Sequence, residues 1–157
     1  MAATSTRFRL RLAALSLLVA GTAVAHEKAT GIVAARMKAM EDTAAQAKAL
    51  DRALKASSPD DADLRARAER IHALAHDLHA MFPPGSDQGH TYARPEIWTQ
   101  RDGFQQLTRA YDAATERLVE AAGTRTLPAL RQQFTVVRRH CLACHERFRT
   151  PGGERGY

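Results

Sequence analysis

The chain has 157 residues, 45% of them apolar, with 23 Lys and Arg against 17 Asp and Glu and a formal net charge of +6. That is one domain's worth of sequence. The bases are interspersed with acids along the chain rather than gathered into the dense cationic run of a nucleic-acid binder, which removes that class.

In chain order, Arg7, Arg9 and Arg11 lead into the apolar run Leu12 to Ala20, and Ala23-Val24-Ala25 supplies the small residues a signal peptidase accepts. Residues 1–25 therefore read as a secretory signal peptide cut after Ala25, and 26–157 as the mature domain. The run falls short of the roughly 20 apolar residues a membrane span needs, and no later stretch comes nearer, so the mature form is expected free of the membrane. Without the three leader arginines, 20 bases face 17 acids and the net charge falls to +3.

A first helix is expected over about 27–56, with Val33, Met37, Met40, Ala44, Ala47 and Leu54 on a mostly three-and-four spacing. Ser57-Ser58-Pro59-Asp60 stops it and offers capping oxygens to a second helix from about Asp60 or Asp61. Leu64, Ala68, Ile71, Ala75, Leu78 and Phe82 carry that helix to Pro83-Pro84-Gly85. On its flank His72, His76 and His79 stand at i, i+4 and i+7, a spacing that suits either a solvated edge or a surface metal site.

Ser86 to Arg94 reads as irregular, and Pro95-Glu96-Ile97-Trp98 as a single helical turn with Pro at its first position. Trp98, the only tryptophan, lies just beyond this long loop and is placed among the cofactor-binding candidates. Phe104, Leu107, Tyr111, Ala114, Leu118 and Ala121 predict a third long helix closed by Gly123. The fourth carries Leu127, Leu130, Phe134, Val137, Cys141, Cys144 and Phe148 in one unbroken stripe, ended by Pro151-Gly152-Gly153. Four amphipathic helices with mostly short connections and no strand signal predict an all-α, up-down-up-down antiparallel four-helix bundle.

The fourth stripe contains Cys141-Leu142-Ala143-Cys144-His145, the spacing that fastens a c-type haem. Two thiols three positions apart form thioethers with the vinyl groups, and the next imidazole reaches the iron. On a helix the three residues share one side, so one helix can hold the macrocycle. Rival uses fit less well. A thioredoxin-type pair would follow a strand, and a structural zinc site would need more cysteines than the chain has. A plain disulfide remains a use of two thiols in an exported protein. His140, one position before the first cysteine, aims elsewhere.

With this motif near the C-terminus of the fourth helix, the whole mature chain resembles the class II cytochromes c, the cytochrome c′ family. Arg36-x-x-x-Met40 in the first helix, Phe82-Pro83-Pro84-Gly85-Ser86 after the second and Pro95-Glu96-Ile97-Trp98 before the third support the likeness. The resemblance implies one covalent haem c on Cys141 and Cys144, with His145 as proximal ligand. It implies Arg36 near the haem propionates, Arg149 as a second charge partner and Met40 at the distal position. Arg36 snorkelling to solvent, Met40 as core filler and Met37 as the distal residue are the competing assignments.

The leading expectation is a periplasmic one-electron carrier with His145 and Met40 as axial ligands, not an enzyme, working with redox partner proteins and without nucleic acid. A five-coordinate binder of nitric oxide or carbon monoxide is the alternative. A haem-free metal-binding bundle built on His72, His76 and His79 is a third reading, from a different class. A homodimer is compatible with the resemblance. No nucleophile-base constellation or phosphate loop supports a hydrolytic or transfer enzyme. Ala-rich stripes make thin contacts, so the chain is expected to be loose without its cofactor.

Overall fold

A computed structural model describes residues 30–124 and 126–151; the expected signal peptide and the tail beyond 151 lie outside the described residues. The elements are α1 (Gly31–Leu54), α2 (Asp61–His76), a 3₁₀ turn (Leu78–Met81), α3 (Glu96–Thr99), α4 (Arg101–Gly123) and α5 (Leu127–Phe148). Four long helices make the bundle, and α3 is the single turn expected after Pro95. Asp60 caps α2 by accepting a hydrogen bond from the Ala62 amide at 2.9 Å. Pro128 occupies the first turn of α5, where no amide partner is needed.

Helix α1 packs on α2, α2 on α4 and α4 on α5, whereas α1 and α5 do not form a closely packed pair. They meet at one end, where the Arg131 guanidinium donates to the Leu54 carbonyl at 2.6 and 3.2 Å. The core runs through Leu50, Leu64, Ile71, Phe104, Ala114, Leu118, Phe134 and Val137. At the opposite end Phe104 meets Phe82 at 4.8 Å and Phe148 at 5.4 Å between ring centroids, in edge-on arrangements that favour aromatic pairs.

Two boundaries differ from the sequence expectation. The second stripe was expected to stay α-helical to Phe82, but the α-helix stops at His76 and the chain tightens into the 3₁₀ turn. Phe82 precedes a proline and takes φ −123°, ψ 57°, outside the helical well, as the clash with the Pro83 ring demands. Leu78 and Phe82 stay buried despite the change of pitch. Helix α5 ends at Phe148, three residues before Pro151. Arg149 is extended there and forms an isolated antiparallel bridge with Ala93. The Arg94 amide donates to Phe148 and the Thr150 amide to Tyr92, each at 2.9 Å. The long connector is thus fastened across the end of α5.

Candidate haem site

On α5, Leu130, Phe134, Val137 and Phe148 are buried, while Cys141 and Cys144 of the same stripe, and His145 beside them, are half-buried. On α1 the stripe is likewise interrupted: Val33, Ala47 and Leu54 are buried as expected, but Met37, Met40 and Ala44 are half-buried, and Arg36, Ala39 and Leu50 are covered instead. Met40, Cys141 and Cys144 all pack against the edge of the core. The two helices that carry these incompletely covered residues are the pair that do not close on each other. The side chains fit a flat apolar macrocycle between α1 and α5, with thiols and an imidazole on one wall and a thioether on the other.

Electrostatics agree with that use. Cys141 and Cys144 are free thiols, not a disulfide. Burial pushes the Cys144 thiol up to about 11, with the neighbouring Cys141 adding to the effect. Burial also raises Cys141, opposed by a hydrogen bond from the Tyr111 phenol and by the charge of Arg138. Burial first, then Arg149, lowers the His145 imidazole and favours its neutral form, the form that ligates a metal. His140 is lowered as well, by burial and then by the charges of Arg117 and Arg139, so the segment lies in a positive field.

Arg36 does not snorkel to solvent: it is 3% exposed. Its guanidinium donates to the Met81 carbonyl at 3.2 Å, Ser86 Oγ at 3.3 Å, the Ser86 carbonyl at 3.2 Å and Thr91 Oγ1 at 2.9 Å. It also lies 4.5 Å from the Phe82 ring centroid and 5.9 Å from that of Trp98. Burial lowers its pKa, but a guanidinium stays charged. Gly85, at φ 78°, makes the turn that precedes Ser86 in this network. Trp98 donates from Nε1 to the Pro83 carbonyl at 2.8 Å. Arg149 stacks on the Tyr92 ring at 5.8 Å. Both side chains border the end of the bundle where the haem residues stand.

The three-histidine metal site does not form. His72 Nδ1 lies 3.1 Å from Thr115 Oγ1, and His72 and His76 each approach Asp112 of α4 at 3.5 Å, while the 3₁₀ turn carries His79 out of the helical register. Among the described residues no group of His, Cys, Asp or Glu is placed to hold a metal ion. Sequence reading missed the Tyr111 contact with Cys141 and the Ser86 and Thr91 partners of Arg36. Arg36 did carry a signal, since it lies three residues from both Val33 and Ala39 on the face that becomes buried.

Comparisons with known proteins agree with the geometry. The family model for Cytochrome C′ matches residues 31–149. Cytochrome c′ of Alcaligenes xylosoxydans xylosoxydans is 36% identical over 90 residues, which is 57% of this chain and 69% of that protein. A solved nitric oxide complex of a leucine-to-isoleucine variant of cytochrome c prime from Alcaligenes xylosoxidans is 32% identical, with TM-score 0.70 over 76% of this chain and 94% of that one. A cytochrome c′ described as having an unusual ligand-controlled dimer dissociation shares the fold at TM-score 0.73, with 23% identity over 78% of this chain and 99% of that one. The chain belongs to the cytochrome c′ family and is a four-helix-bundle protein carrying one covalent c-type haem.

Proposed function

We propose that the protein takes up nitric oxide or carbon monoxide at the distal side of its haem, with Cys141 and Cys144 as thioether anchors and His145 as proximal ligand. The bound group supplies an iron centre able to change oxidation state by one electron and to coordinate a diatomic gas. The chain does the rest. Helix α5 fixes both anchors and the proximal imidazole on one rigid face, and burial, with Arg149, favours the neutral form of that imidazole. The observation that carries the reading is that solved relatives 32% identical to this chain are nitric oxide and carbon monoxide complexes. The facing wall of Met37, Met40 and Ala44 is half-buried, which leaves apolar room on that side. Export to the periplasm through a signal peptide of residues 1–25 belongs to the same proposal.

A second reading makes the protein a one-electron carrier with Met40 bound to iron. It is favoured by the Met40 thioether, half-buried against the core on the wall opposite His145. Absorption spectra of the matured protein decide between the two. The gas-binding reading expects a high-spin ferrous form that takes up carbon monoxide, with Met40→Ala changing the spin state little. A low-spin ferrous form that becomes high-spin in Met40→Ala would overturn it in favour of the carrier.

A further inference from the structure

We propose that the outward face of α5 around Leu142 is the docking surface for an acidic electron-donor protein. Leu142 is 45% exposed, the most open large apolar side chain among the described residues. One exposed leucine is ordinary by itself. Its place is not: Leu142 and the exposed Ala143 lie between the two cysteines of the attachment motif, on the side of the helix turned away from the core. A partner seated there stands one helix thickness, about 10 Å, from the thioether face.

Positive charge outnumbers negative around this apolar centre, where Glu146, four residues after Leu142, is the one acid of α5 on the same face. Arg138 and Arg139, four and three residues before Leu142, are exposed on the same face. Arg117 of α4, also exposed, is close enough to act on His140 together with Arg139. Of the other α5 arginines, Arg131 stands at the far end of the helix against the Leu54 carbonyl and Arg147 donates to Gln100 Oε1, so Arg138, Arg139 and Arg117 supply the local field against Glu146. The cations of α1 and α2 are more evenly matched and several are tied in i,i+4 pairs, Lys38 with Asp42, Arg65 with Glu69 and Arg67 with Asp63. Field and apolar contact therefore coincide on α5. A small patch rimmed mainly by cations suits a transient electron-transfer encounter, which buries less than about 1,200 Å² and is steered by charge. The occupant is a protein with a negative rim, which gives up one electron that reduces ferric to ferrous iron, with no atom or proton crossing the contact.

The inference rests on haem attachment through Cys141 and Cys144, which the absorption spectrum of each sample checks separately. The test titrates the matured protein with an oxidised acidic flavodoxin at about 10 mM and 200 mM salt, reading Kd. Two charge reversals of equal size are compared: R138E/R139E on the patch, and K48E/R52E on the exposed face of α1. Wild type should bind at low salt and weaken at least tenfold at high salt. R138E/R139E should weaken low-salt binding at least tenfold and K48E/R52E less than threefold, with haem spectra unchanged. Equal effects of the two pairs would mean that net charge, not this face, attracts the partner. That result, or no binding by wild type at low salt, overturns the proposal.

Discussion

Arg36 is the only charged side chain that is buried among the described residues, and four acceptors from the 3₁₀ turn and the connector surround it. Arg36→Ala leaves those acceptors without their donor in a water-poor site, and the expected cost is about 2–4 kcal/mol in urea denaturation of the matured protein. Arg36→Lys should recover less than half of it, because one ammonium cannot reach partners arranged around a planar fork. The buried thiols give a second residue-scale expectation. A folded-state pKa of about 11 for Cys144 lies above the ordinary thiol range, so the fold favours the protonated thiol. That stability is complete below the unfolded value and is lost as pH rises toward 11. Haem-free protein should therefore lose about 1–2 kcal/mol between pH 8 and 11 relative to haem-attached protein, whose thioethers carry no titrating proton. Urea midpoints of both forms across that range check it, and parallel curves would refute it.

At the scale of the element, the sequence was read most accurately where local rules decide. Helix α5 was expected from Leu127, and its stripe through the cysteines and Phe148 is the one observed. Pro128 and a strict three-and-four spacing both act within one or two turns, so neither needs a distant partner. The same holds for the Asp60 cap, and Asp60→Ala should cost about 1 kcal/mol in the same denaturation assay. What the sequence did not disclose depends on residues far apart. The partners of Arg36 lie 45 to 55 positions away, and Thr115 lies 43 from His72. The switch to 3₁₀ pitch after Asp77 keeps Leu78 and Phe82 in the core while Pro83 forbids helix at Phe82. Periodicity could not locate that switch, because both pitches bury the same residues. Gly85 is the backbone counterpart: at φ 78° an added Cβ meets nothing within 4 Å. Gly85→Ala should therefore cost about 1 kcal/mol through backbone strain alone, leaving the haem spectrum unchanged.

For the whole molecule, the unequal packing of the four long helices is the feature that ties fold to cofactor. Three neighbouring pairs are closely packed and the fourth, α1 with α5, is not; the half-buried Met40 and Ala44 on one side and Cys141 and Cys144 on the other are what that open side leaves uncovered. A bundle in this state has lost part of the apolar burial that offsets chain entropy, at about 25 cal/mol per Å². Filling the space with a covalently held macrocycle restores it. The Cys141→Ala/Cys144→Ala chain, which cannot attach haem, should keep its helices but melt at least 10 °C below the matured protein and bind a hydrophobic dye. Hydrogen exchange should show where the loss falls. Amides of α1 between about 36 and 47 should exchange at least tenfold faster than in the matured protein, while the packed faces of α2 and α4 change little. Uniform loosening of all four helices would mean that the cofactor supports the bundle globally. Protection confined to α1 would place it in the space between α1 and α5.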